Sequence, residues 1–197
     1  MSFTQPDIDM SGEDSEYTEI LRRVTRSMGG RSNSYRVTRS MRRSFPVLLT
    51  AKFTGLRVGS GAPGICGPDS LGLTMPPHIG AQVIFLAVRA YVRSHAPPPH
   101  IDAEDWLHMR NEPITTWKTD IDFMWVAALV FAVDIYVWSS EQGMKVFSAT
   151  GTRPTIMDSA TVTSTDWAQV VAGGGKLLAF NVNHFFALLL PRKSGRN

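Results

Sequence analysis

From residue 45 onward, apolar stretches alternate with proline- and glycine-rich breaks, and each stretch has its own period. Residues 44–61, SFPVLLTAKFTGLRVGSG, mix β-branched and aromatic positions and end in glycines, which predicts one extended segment entering a loop. A short helix follows from Pro68 to about Thr74, stopped by Pro76 and Pro77. Over residues 78–96, Ile84, Ala87, Val88 and Tyr91 fall at i, i+3, i+4 and i+7, with Val92 extending the stripe, so this segment is a helix. The prolines at 97–99 end it. Residues 102–110 predict another short helix, with Asp102 as N-cap and Asp105 three positions on in the manner of a capping box. NEPITTW is a loop. Residues 120–132 are apolar nearly all round, which requires a helix buried on most sides.

Strand periods take over after this helix. VDIYVWSS at 133–140 alternates, EQG is a turn signal and MKVFSAT is a second strand. A polar loop covers 150–166. GGGKLLAFNVNHFFALLLP then reads as two closing strands, LLAF and HFFALLL, joined by a tight turn from Asn181 to Asn183. Helices early and strands late predict an α+β domain with a small, mostly antiparallel sheet packed between helices.

The first 44 residues have a different texture. Residues 1–21 hold six acidic side chains and no Lys or Arg; residues 22–43, opened by Arg22 and closed by Arg43, hold eight arginines and no acid. The net charge of +3 and the basic pI of about 9.2 therefore come from a tail, and the rest is close to neutral. RVTRSM occurs at 23–28 and again at 36–41, either side of a Gly-Gly pair and a polar stretch. Self-repulsion and little apolar content predict disorder over 1–44. An Arg/Ser/Thr tract of this kind suits phosphate contacts with nucleic acid or an acidic surface; the alternative is a solvated linker. The division predicted is a 1–44 tail, a 45–192 domain and a 193–197 C-terminal tail.

Composition narrows the setting. Apolar residues make up 43 % of 197, enough for a sizeable core. The longest uncharged apolar run, 123–133, is shorter than the roughly 20 residues of a membrane-spanning helix. With one cysteine and no secretory leader pattern, the expectation is an intracellular monomer, cytoplasmic or nuclear, with no membrane association, cofactor or metal.

That cysteine, Cys66, lies in GAPGICGPDSLGL at 61–73. A thiol nucleophile needs a stabilised thiolate, a base and donors for an oxyanion. Pro68 suits the first position of a helix, so Cys66 falls just before a helix N-terminus, whose positive end favours an anion. Gly61 and Gly64 permit the tight backbone of a donor-lined loop. Five histidines are available as base. His78, His95 and His100 border proline runs and belong on the surface, and His108 lies in a polar helix. His184 differs in standing within an apolar strand. Read from the residues alone, Cys66 is either a packed thiol or a nucleophile, and His184 either a strand residue or its base.

Four blocks in order resemble the ovarian-tumour (OTU) family of cysteine proteases, most of them deubiquitinases. PGICGPDSL resembles the nucleophile motif, with Ser70 and Leu71 at its small and aliphatic positions. VIFLAVRAYVRSHA resembles the helix that follows. The stretch from EDWLHMRN to VDIYVWSS, including Trp117, resembles the central helix–loop–helix–strand, and NVNHFFALLL the closing strand. Together they cover about residues 57–191. The resemblance implies a papain-like fold of OTU type, Cys66 as nucleophile and His184 as general base. It also implies an oxyanion loop at Pro63, Gly64 and Ile65, and ubiquitin or a ubiquitin-like protein as substrate. Pro63 stands where the family has Asp, and Phe186 where its orienting Asp or Asn stands. That leaves Asn181 and Asn183 as the nearby polar candidates and a dyad rather than a triad. The alternatives are an OTU-like module that binds ubiquitin without cutting it, and a nucleic-acid-binding protein acting through the Arg-rich tail.

Overall fold

The computed structural model describes residues 34–36, 55–58, 65–111, 121–139, 141–181 and 184–190. Among these residues, four helices come first after two short strands: β1 (Ser34–Arg36), β2 (Gly55–Val58), α1 (Cys66–Gly72), α2 (Ala81–Ser94), α3 (Ala103–Asn111) and α4 (Ile121–Phe131). The strands β3 (Ile135–Ser139), β4 (Gly143–Phe147) and β5 (Thr155–Met157) follow. After them come α5 (Ser159–Ser164), α6 (Trp167–Ala172), β6 (Lys176–Asn181) and β7 (His184–Leu189).

All seven strands join one sheet in the order β1-β2-β7-β6-β3-β4-β5. Every pairing is antiparallel except β3 with β6. The α+β class and the mostly antiparallel sheet are as the sequence predicts. Alternation along the strands assigns each face its own core. Ile135, Val137, Phe147, Leu178, Phe185 and Ala187 join the larger cluster with residues of α1, α2, α3 and α4. Trp138, Met144, Leu177, Ala179 and Leu188 join a smaller one with Val162 of α5 and Trp167 of α6. The sheet therefore lies between two helical layers. Helix α4 carries six consecutive buried residues, 123–128, as its apolar circumference demands.

Three features depart from the sequence reading. Residues 150–166, expected as a loop, contain β5 and α5, and α6 follows at once. Helix α1 begins at Cys66 rather than Pro68. Ser34–Arg36, inside the segment expected to be disordered, forms β1 against β2, with Tyr35 opposite Leu56; the rest of 1–44 lies outside the described residues, as does 191–197.

Candidate active site

Helix α1 is a single short element with two unusual side chains on it. Ile65 is its N-cap, with φ −102 and ψ −19 and no side-chain cap, and the Asp69 N–H donates to the Ile65 carbonyl at 2.9 Å. Cys66 is the first helical residue. Pro68 is tolerated at the third because first-turn N–H groups lack intrahelical partners in any case. The Cys66 thiol is 6 % exposed and packs within the larger apolar cluster, and Ile65 beside it is fully buried. One turn on, Ser70 is the only buried polar residue among the described residues. Its Oγ donates to the Phe185 carbonyl at 2.8 Å, tying α1 to β7 across 115 positions of sequence.

His184 opens β7 and is exposed. Its register partner is Asn181, the last residue of β6. The strand alternation groups His184 with Phe186 and Leu188, which pack on the α5–α6 side. Cys66, Phe185 and Ala187 belong to the opposite side. The structure thus brings together the two elements that carry Cys66 and His184, while the two residues group with opposite faces of the sheet. Pro63, Gly64 and Asn183 lie outside the described residues, as does the Asn181 side chain. His78, His95 and His100 are exposed, as expected, and His108 is half-buried in α3. His95 stacks on Tyr91 at 3.9 Å, with its Nδ1 2.9 Å from the Tyr91 carbonyl, a role in ending α2.

Two hollows flank the sheet. One, of about 140 Å³, is lined by Met124, Val137, Phe147, Phe180 and Phe185, with Lys145 at its wall. It opens on the Cys66 side, because Val137, Phe147 and Phe185 belong to that cluster. Burial holds the Lys145 ammonium below the ordinary lysine range, and Asp122 partly opposes the shift. The other, of about 430 Å³, includes Asp134, Tyr136, Asp166, Gln169 and Gly174. Burial, and then the Asp134 charge, raise the Tyr136 phenol above its ordinary value. Both carboxylates already have structural work: Asp134 accepts from the Ala149 N–H and Asp166 caps α6. Sequence reading missed this second hollow because its wall is gathered from separate stretches, 132–136, Ala149 and 165–175, which only the fold brings together.

Among the described residues no group of three or more His, Cys, Asp or Glu side chains is placed to hold a metal. Among them, too, no helix is long and apolar enough to cross a membrane. No family model, curated protein or solved structure matches the chain.

Proposed function

We propose that the domain is a cysteine isopeptidase of papain-like OTU type acting on ubiquitin or a ubiquitin-like modifier. The observation that carries this reading is the packing of α1, which begins at Cys66, on β7, which begins at His184, through the Ser70–Phe185 hydrogen bond. The substrate class rests on the four-block OTU resemblance. In the first half-reaction, the Cys66 sulfur bonds to the isopeptide carbonyl carbon as the thiol proton passes to His184. The C–N bond then breaks as His184 gives that proton to the leaving lysine amine. Water attacks the thioester, His184 takes its proton, and the C–S bond breaks to restore the thiol. Gly64 and Ile65 supply backbone donors for the oxyanion; Pro63 has no N–H to give, so this loop offers one donor fewer. Asn181, the register partner of His184, is the candidate to orient the imidazole.

A second reading is an OTU-like module that binds the modifier without cutting it. It is favoured by the Cys66 thiol lying in the apolar cluster while the strand alternation directs His184 to the other face. The first reading requires the imidazole to reach the thiol around the end of β7, where His184 is exposed. Cleavage of a lysine-linked ubiquitin peptide separates the two. Turnover lost in both Cys66→Ala and His184→Ala supports the isopeptidase. Binding of ubiquitin without turnover by the unmodified chain supports the module. The Arg-rich residues 22–43 are proposed to contact nucleic acid or an acidic surface independently of the domain, which we place in a reducing intracellular compartment as a monomer.

A further inference from the structure

Ser70 is fully buried in an otherwise apolar helix face, and its hydroxyl spends its one proton on a strand carbonyl. The register shows where that carbonyl points. The last described pair of β2 with β7 is Val58 with Phe186, and Phe185 is the neighbouring residue of β7. In a hairpin closed by a two-residue turn, the residue after the closing pair points its carbonyl away from the partner strand. The closing pair here is Asn181 with His184, so Phe185 is that next residue. Its carbonyl therefore points away from β6, and the Ser70 hydroxyl donates to it there.

We propose that Ser70 is a positioning residue that fixes the start of β7, and with it His184, relative to Cys66. This rests on the reading of Cys66 and His184 as a dyad. Ser70 follows Cys66 by four residues, one helical turn, so the two stand on the same face of α1. The bond lands on the residue directly after His184. A hydrogen bond of 2.8 Å from a rigid turn of helix sets both the height of β7 and the backbone from which the imidazole swings. An apolar residue of similar size fills the same space but removes that donor, so the hydrogen bond no longer holds the strand end to α1.

The chain has one cysteine, so alkylation by iodoacetamide reports on Cys66 alone. The rate is measured against pH on the full chain, alongside turnover of the lysine-linked ubiquitin peptide. Five proteins are compared: wild type, Ser70→Ala, Ser70→Thr, His184→Ala, and Ile84→Val as a core variant on α2 that lowers the unfolding temperature while leaving the Ser70 hydroxyl and the Phe185 carbonyl in place. The wild-type profile is expected to carry an inflection that His184→Ala removes. Ser70→Ala should also lose it and lower turnover at least tenfold, Ser70→Thr should restore both, and Ile84→Val should alter neither. A Ser70→Ala protein with wild-type profile and turnover overturns the positioning role while leaving the dyad standing. So does an Ile84→Val protein that loses both as Ser70→Ala does, because the effect is then one of stability. A wild-type profile unchanged by His184→Ala defeats the dyad itself, and the role of Ser70 falls with it.

Discussion

At Gly175 an added methyl group would meet the Val170 Cγ1 at 2.6 Å, the Val170 carbonyl oxygen at 2.9 Å and the Tyr136 ring at 3.2 Å. Space, not backbone freedom, keeps glycine between α6 and β3, and Gly175→Ala should destabilise by about 1–3 kcal/mol in urea unfolding. Titratable groups give a second expectation at this scale. Burial lowers Lys145 and Lys176 from 10.5, so between the lowered values and 10.5 the unfolded chain binds more protons than the folded one. Stability from these two therefore rises with pH through that window. Tyr136, raised above 10.0, acts in the opposite sense, and its contribution falls as pH climbs beyond that value. Lys176→Met should flatten the alkaline rise in denaturant-unfolding profiles recorded at successive pH values. At the acid end Asp158, lowered by its hydrogen bonds to Thr161, contributes above its ordinary 3.8 and loses that contribution as pH falls through its folded value. The place of Cys66 at a helix start was legible in residue types, because Pro68 and the flanking glycines mark the beginning of that turn of helix. Ser70 was visible only as a small residue in a motif, because its partner lies 115 positions away and no local period encodes that contact.

Among the elements, the segment 155–172 shows where pattern reading stops. Helices α5 and α6 have six residues each, under two turns, so neither can display a repeating apolar stripe. Only Val162 and Trp167 are their buried residues. The usable signal was in the caps: Asp158 accepts from the Thr161 N–H, and Asp166 from those of Ala168 and Gln169. Asp166→Ala should cost about 1 kcal/mol by chemical denaturation, the usual worth of an N-cap. Helix α4, by contrast, was readable because six buried residues in succession leave no other assignment. It ends on Ala132, which holds φ +50, a conformation better suited to glycine. Relief of that strain outweighs the extra chain entropy, so Ala132→Gly should stabilise by on the order of 0.5 kcal/mol in the same assay. The two closing strands and their antiparallel pairing were legible as well, because Asn-rich punctuation between two alternating runs leaves a hairpin as the economical solution.

For the molecule as a whole, the sequence conveyed a sheet between helices but not its strand order. The parallel pairing of β3 with β6 is made across 41 positions between Ile135 and Lys176, and long-range register leaves no mark in either segment. The same holds for β1, whose three residues sit within an Arg-rich tract and owe their strand to β2. That strand changes how the tail should be separated from the domain. Removal of residues 1–33 keeps β1, whereas a cut at 44 takes it away. The shorter truncation should leave isopeptide cleavage intact; it removes four of the eight tract arginines and keeps Arg36, Arg39, Arg42 and Arg43, so any nucleic-acid binding should weaken and its salt dependence become shallower. The central claim is that Cys66 is a nucleophile aimed at the C-terminus of a ubiquitin-like modifier. Intact-mass spectrometry after incubation with ubiquitin bearing a thiol-reactive C-terminal group tests it most directly. The account predicts one covalent adduct per chain, absent in Cys66→Ala and strongly slowed in His184→Ala; a wild-type chain that remains unmodified under conditions where ubiquitin binds would contradict it.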